Sequence, residues 1–301
     1  MQEALKVARK HFSRLGGMFI LGTIIIYAVQ LIPTGLVKMF RPEWLEDGNI
    51  SLTLSMVPMY LIGMPALIAL VKTIPAENVE KKKMKWWQFL VAVLMCFGLV
   101  YASNLAGTVI STVISILKGS AVQNTLLNIV SSISMALVVL YMVICAPFME
   151  EYVFRKLIVE RTIKYGQGVA VVVSGLMFGL FHGNLNQFVY AFTLGCFLAF
   201  LYVKTGKLKI TIAMHMMINF MGGVVSLKLL DMIDLDRYME IAMNGMDMDA
   251  LMAYVAENAA GWIFYMLFVL FMFGTILTAL VMFIVCFATK RIRFEQGQVV
   301  I

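Results

Sequence analysis

Charge is scarce in this chain. Only 14% of its 301 residues are Asp, Glu, Lys or Arg, against 61% hydrophobic. An average soluble domain carries about 25% charge and roughly 45–50% apolar residues. A water-facing globule of this length needs a polar skin that so few charges cannot supply. A soluble enzyme, a disordered tail and a nucleic-acid-binding module are thereby excluded as readings of the whole chain. Cysteine is nearly absent too: Cys96, Cys145, Cys196 and Cys286 stand in apolar stretches without metal-like spacing. They read as core or lipid-facing residues, not as a disulfide framework. Histidine is limited to His11, His182 and His215.

Long apolar runs are what the chain has instead. A helix crossing a bilayer needs about 20 apolar residues. Eight stretches qualify: 17–37, 51–71, 86–106, 124–148, 166–182, 187–203, 208–227 and 261–289. The spacing predicts an all-α, polytopic membrane helical bundle of about eight transmembrane helices. Residues 1–301 form a single integral membrane domain. The apolar but Ser/Thr/Gly-rich stretch 104–117 suggests an extra short helix in the third connection. No small-residue cleavage signal follows the first span, so it reads as retained.

The net charge of +7 matters less than its placement. With the amino terminus in the cytoplasm, the inside segments hold 19 of the 24 basic residues. Among them are Lys81, Lys82, Lys83 and Lys85, then Arg155, Lys156, Arg161 and Lys164, and finally Lys290, Arg291 and Arg293. The outside loop 229–260 has seven acidic residues and one basic one. It reads as a cover for the outer mouth of the bundle or as a solvated connection. This bias places both termini in the cytoplasm. The Lys81–Lys85 run is an anchor at the anionic lipid bilayer, not a nucleic-acid patch.

Three clusters put ionisable or polar groups inside the spans, at roughly 2.5–3.5 kcal/mol for each charge. They are Glu150-Glu151-x-x-x-Arg155, Phe178-x-x-x-His182 and His215-x-x-x-Asn219. Residues four apart share a helical face. Glu151 can therefore pair with Arg155, which leaves Glu150, rotated about 100° away, for another helix. Glu150 and His182 lie 16 residues before and after Gly166. An antiparallel hairpin turning there brings them to one level. Pro147 is expected at the start of the glutamate helix, where its missing N–H does least harm. The charged stretch 155–164 is expected to project into the cytoplasm.

Bland readings stand beside the chemical ones. Glu151–Arg155 reads as a helix-stabilising pair, His182 alone as a cap on a neighbouring carbonyl, and His215 with Asn219 as interhelical glue. Together, a carboxylate and an imidazole on facing helices can hold a water and remove its proton. Asn219 and His215 can donate to a developing oxyanion. No serine or cysteine nucleophile signature and no H-E-x-x-H motif is present. Glu150, His182 and His215 could instead ligate zinc as a three-residue set, a cofactor the residues allow without favouring. The 25 methionines read mostly as filler, able also to line an adaptable peptide cavity.

The three motifs in this order resemble the CPBP family, the CAAX proteases and bacteriocin-processing (Abi) membrane proteins. That family includes the prenyl-protein endopeptidase that trims farnesylated proteins in eukaryotes. The likeness extends over 147–220, the family core, where HGNLNQFVYAFTLGCFLAFLYVKTGKLKITIAMH reads like the bacterial branch. It implies a multi-pass protein of the bacterial plasma membrane and an intramembrane endopeptidase. By position, Glu150 and His182 would activate the water, and His215 and Asn219 would form the oxyanion site. Glu151, Arg155 and Phe178 would support them. Lys156 departs from the small residue that often follows the motif arginine. The substrate would be a membrane-associated or lipid-modified protein or peptide, such as a bacteriocin or pheromone precursor. Two other readings remain: a non-catalytic membrane partner such as a bacteriocin-immunity or regulatory protein, and a small-ion transporter using the buried glutamate.

Overall fold

A computed structural model describes residues 2–120, 133–245, 247–290 and 293–299. Seven helices among the described residues are long and apolar enough to cross a membrane. These are α1 (Gln2–Phe40), α2 (Gly48–Lys72), α3 (Trp86–Lys118), α4 (Met135–Tyr165), α6 (Leu185–Thr205), α7 (Leu208–Met232) and α10 (Ala259–Ala288). Between α4 and α6 lies α5 (Gln167–Phe181). The expected loop 229–260 contains two short helices, α8 (Leu235–Met243) and α9 (Met248–Glu257). The result is the expected polytopic helical bundle, and the four cysteines are free thiols.

Four details depart from expectation. The fifth stretch, 166–182, is a helix of 15 residues. At 1.5 Å per residue it spans about 22 Å, short of a hydrocarbon core of about 30 Å. No separate helix occupies 104–117, because α3 runs unbroken through it. The fourth stretch, expected at 124–148, is partly outside the described residues, as is Arg291. Its helix runs on to Tyr165.

The fourth departure concerns 155–164, which is packed inside the protein and is not a solvated tip. Arg155, Glu160, Arg161 and Thr162 are all buried. The chain neutralises these charges internally. Arg161 donates to the Val71 carbonyl at the end of α2 (2.7 Å) and to Leu157 O (3.1 Å). Glu160 Oε1 accepts from Tyr202 (2.8 Å) and Lys156 (2.6 Å). Four of the basic residues counted as inside anchors therefore lie in a helix, and two of them are interior. Lys156 keeps a part-exposed side chain (39%). The departure from a small residue at that position is accommodated because Lys156 faces outward.

The turn between α4 and α5 is held on several sides. Gly166 adopts φ +113°, a conformation that suits glycine alone. The carboxy-terminal segment lies across the turn, with Gln167 N donating to Glu295 O and Val299 N to Lys164 O, both at 3.1 Å. From α1, His11 hydrogen-bonds the Arg161 carbonyl (2.7 Å), and His11 and Phe12 pack on Tyr165.

α5 then crosses α6 very closely. Gly175 and Gly179 lie against Phe192 and Cys196, while Gly195 lies against Gly175 and Phe178. Small residues four apart let helix backbones approach in this way. A Cβ on Gly175 would overlap the Cys196 backbone as well as its thiol. Gly175→Val is expected to push α5 from α6, destabilising the fold by roughly 1–3 kcal/mol and lowering activity. Thermal unfolding in detergent and a cleavage assay check both effects.

Candidate active site

Gly166 sets the register of the α4–α5 hairpin. Phe154 and Phe178 stand 12 residues to either side of it and pack edge to face at 5.1 Å between ring centroids. One turn further out, the same register brings Glu150 and His182 to one level. α7 packs against the α4 arm of this hairpin, and His215 reaches both glutamates. Its Nδ1 lies 3.0 Å from Glu151 Oε1, and its Nε2 lies 3.8 Å from Glu150 Oε2.

Glu151 is fully buried. Its Oε1 accepts from Arg155 Nη2 at 2.9 Å on the same atom that His215 approaches. Arg155, equally buried, donates through Nη1 to Ser174 Oγ (3.1 Å), and Ser174 passes a hydrogen bond on to Phe154 O (2.9 Å). Phe178 is the common wall. Its ring meets His182 at 4.8 Å and His215 at 5.6 Å, both edge to face, and the Arg155 guanidinium lies over it at 4.8 Å.

The hydrogen bonds assign the imidazole tautomers. His182 Nδ1 lies 2.8 Å from the Phe178 carbonyl. A carbonyl only accepts, so Nδ1 carries the proton and Nε2 is left as the basic atom of the neutral ring. His215 Nδ1, facing a carboxylate oxygen, carries its proton by the same reasoning. Its Nε2 points toward Glu150, whose side chain retains 15% exposure. A gap of 3.8 Å is too wide for a direct hydrogen bond.

Asn219 is placed by a different requirement. Pro147 is not at the start of its helix, contrary to expectation, but 12 residues inside α4. The helix tolerates it by widening. Val138–Cys145 is a π-helical segment in which Ala146 N donates to Tyr141 O. Pro147 has no N–H to give, so the Met142 carbonyl lacks a donor from its own helix. Asn219 Nδ2 supplies one from α7 at 2.8 Å. That leaves the second N–H of the amide for other work. A further π-helical segment, Tyr152–Val159, follows the glutamates. Such widened turns occur mostly at functional sites.

The structure thus gathers Glu150, Glu151, Arg155, Phe178, His182 and His215 in one connected cluster, with Asn219 bonded to the glutamate helix. The sequence reading paired Glu150 with His182. In the structure the residue in contact with both glutamates is His215. One participant was missed. Ser174 lies one turn before Phe178, and a lone hydroxyl on that face of an apolar helix was the signal. Among the described residues, no three His, Cys, Asp or Glu side chains are grouped closely enough to hold a metal ion.

Beside the site is an open apolar cavity of about 350 Å³. It is lined by Val143 of α4, by Met216, Met217, Phe220 and Met221 of α7, and by Phe97 and Phe271. Met216 and Phe220 neighbour His215 and Asn219 in sequence, so this space backs onto the helix that carries them.

Comparison with known proteins points to the same segment of the chain. The profile of the family described as Type II CAAX prenyl endopeptidase Rce1-like matches residues 132–221, the segment holding all three motifs. The chain is 28% identical to the membrane-embedded CAAX protease MroQ of Staphylococcus aureus over 225 residues, covering 69% of this chain and 88% of MroQ. It is 23% identical over 175 residues to YdiL of Bacillus subtilis, a provisionally named membrane peptidase, covering 56% of this chain and 70% of YdiL. No solved structure matches the chain. Residues 132–221 thus match the Rce1-like CAAX endopeptidase family, and the chain built around them is a multi-pass membrane peptidase.

Proposed function

We propose that the chain hydrolyses a peptide bond of a membrane-associated protein or peptide by direct attack of water, without a covalent intermediate. Glu150 takes the proton from the attacking water while the basic Nε2 of His182 accepts a hydrogen bond from the water's other O–H and holds it in place; Glu150 then passes that proton to the leaving amine as the C–N bond breaks. His215, held through Nδ1 by Glu151, presents Nε2 to the same space and in its protonated form donates there. The second N–H of Asn219 joins it in stabilising the oxyanion. Glu151, Arg155 and Ser174 fix the positions of these groups, and the Phe178 ring separates the two imidazoles. Side chains and water perform every step.

The observation that carries this reading is His215 standing between Glu150 and Glu151 at 3.8 and 3.0 Å. One imidazole is oriented by a buried carboxylate and aimed at a second, part-exposed one. The open methionine-lined cavity behind α7 suits an apolar portion of the substrate. A peptide precursor that is membrane-bound before processing, such as a pheromone or bacteriocin precursor, has that character.

The test is cleavage of a membrane-anchored reporter peptide by purified protein in proteoliposomes, with hydroxylamine present. Direct hydrolysis yields only the free carboxylic acid, at a rate unchanged by a metal chelator. A hydroxamate product would show an acyl-enzyme and contradict the mechanism. Loss of rate on chelation, restored by zinc, would contradict the side-chain-only assignment.

A further inference from the structure

We infer that Tyr60, on α2 and outside the segment shared with the family, is a positioning residue for the catalytic glutamate. It acts by clamping the widened turn of α4 at the carbonyl next to the one Asn219 holds. The inference rests on the hydrolytic reading above.

The Tyr60 hydroxyl donates to the Tyr141 carbonyl at 3.1 Å. That carbonyl also receives Ala146 N, the bond that closes the π-helical segment before Pro147. The next carbonyl, Met142 O, receives Asn219. Two successive carbonyls of one widened turn are therefore gripped by side chains from two other helices. Glu150 follows Met142 by eight residues, so a change in pitch at this turn rotates and displaces its carboxylate. The rings of Tyr60 and Tyr141 are stacked at 6.3 Å.

α2 is built for this contact in the same way as α4. Its own π-helical segment, Met59–Gly63, closes with Met64 N donating to Met59 O immediately before Pro65. Gln30 of α1 steadies that segment by donating to Ser55 Oγ (2.9 Å) and Met59 Sδ (3.4 Å). Two proline-terminated wide turns thus face each other, with Tyr60 bridging them. Through this bridge the amino-terminal hairpin α1–α2 takes part in setting the geometry of the active site.

Tyr60→Phe keeps the stacked ring and removes only the hydroxyl. The expected result in the proteoliposome assay is about a tenfold fall in kcat, with KM and the thermal unfolding midpoint unchanged. The acidic limb of the kcat–pH profile should also move, because Glu150 changes its surroundings. Wild-type kcat would overturn the inference. So would a loss of activity that merely tracks the unfolded fraction, in Tyr60→Phe or in the larger truncation Tyr60→Leu. Failure of the hydrolytic reading shows separately, as absence of cleavage by the parent chain. In that event amide hydrogen exchange still decides: exchange across 141–150 rises in Tyr60→Phe if the clamp exists, and unchanged exchange overturns it.

Discussion

Replacing Glu150 by Gln is expected to reduce turnover by about 10³-fold, within the range general base catalysis supplies, while the protein inserts and unfolds normally. The substitution keeps the shape and removes the charge. Glu150 is the one carboxylate in the cluster with solvent access, and among the described residues its ion-pair partner is the facing imidazole at 3.8 Å. Little stability is therefore lost with its charge. Proton removal is lost almost entirely, because a carboxamide cannot accept a proton at neutral pH. Single-turnover cleavage of the reporter, beside a thermal melt of the same preparation, checks both halves. Near-normal turnover in Glu150→Gln would remove Glu150 from the chemistry.

The opposite pattern is expected for Arg155. Its side chain is fully buried, paired with a fully buried Glu151, hydrogen-bonded to Ser174 and stacked on Phe178. Arg155→Met leaves the Glu151 charge in the protein interior with His215 as its remaining close partner. Breaking a buried pair from one side costs roughly 3–5 kcal/mol, enough to unfold many proteins of ordinary stability. Removing both charges is a different matter. Arg155→Met combined with Glu151→Leu should recover most of the lost stability, since buried pairs replaced by apolar groups are often neutral. Activity should not return, because His215 then has no carboxylate to orient it. Unfolding midpoints of the single and double variants test the first point, and cleavage tests the second. A double variant that regains full activity would show Glu151 to be structural only.

The contrast between these residues shows what hydropathy and spacing could reveal. Spans were legible because lipid solvent demands long apolar runs, and the helical four-residue spacing correctly joined Glu151 to Arg155. The fate of 155–164 was not legible. Its charges are satisfied by Val71 O, Tyr202 and Ser174, which come from three other helices. Nothing local distinguishes that outcome from a solvated tip. Pro147 misled for a related reason. A proline inside a helix is tolerated when a widened turn and a distant amide take up the freed carbonyl, and the amide lies 77 positions from that carbonyl at Asn219. Helical spacing placed His215 and Asn219 on one face but could not say which glutamate that face would meet.

The central claim is that Glu150 and His215 serve one reaction centre. The most direct measurement is the single-turnover cleavage rate of Glu150→Gln, His215→Ala and the combined variant in the same proteoliposomes. Groups acting as a unit are strongly non-additive. The account predicts that the combined variant is no slower than the slower single variant. Losses that multiply across the two substitutions would place the residues at independent tasks and contradict it.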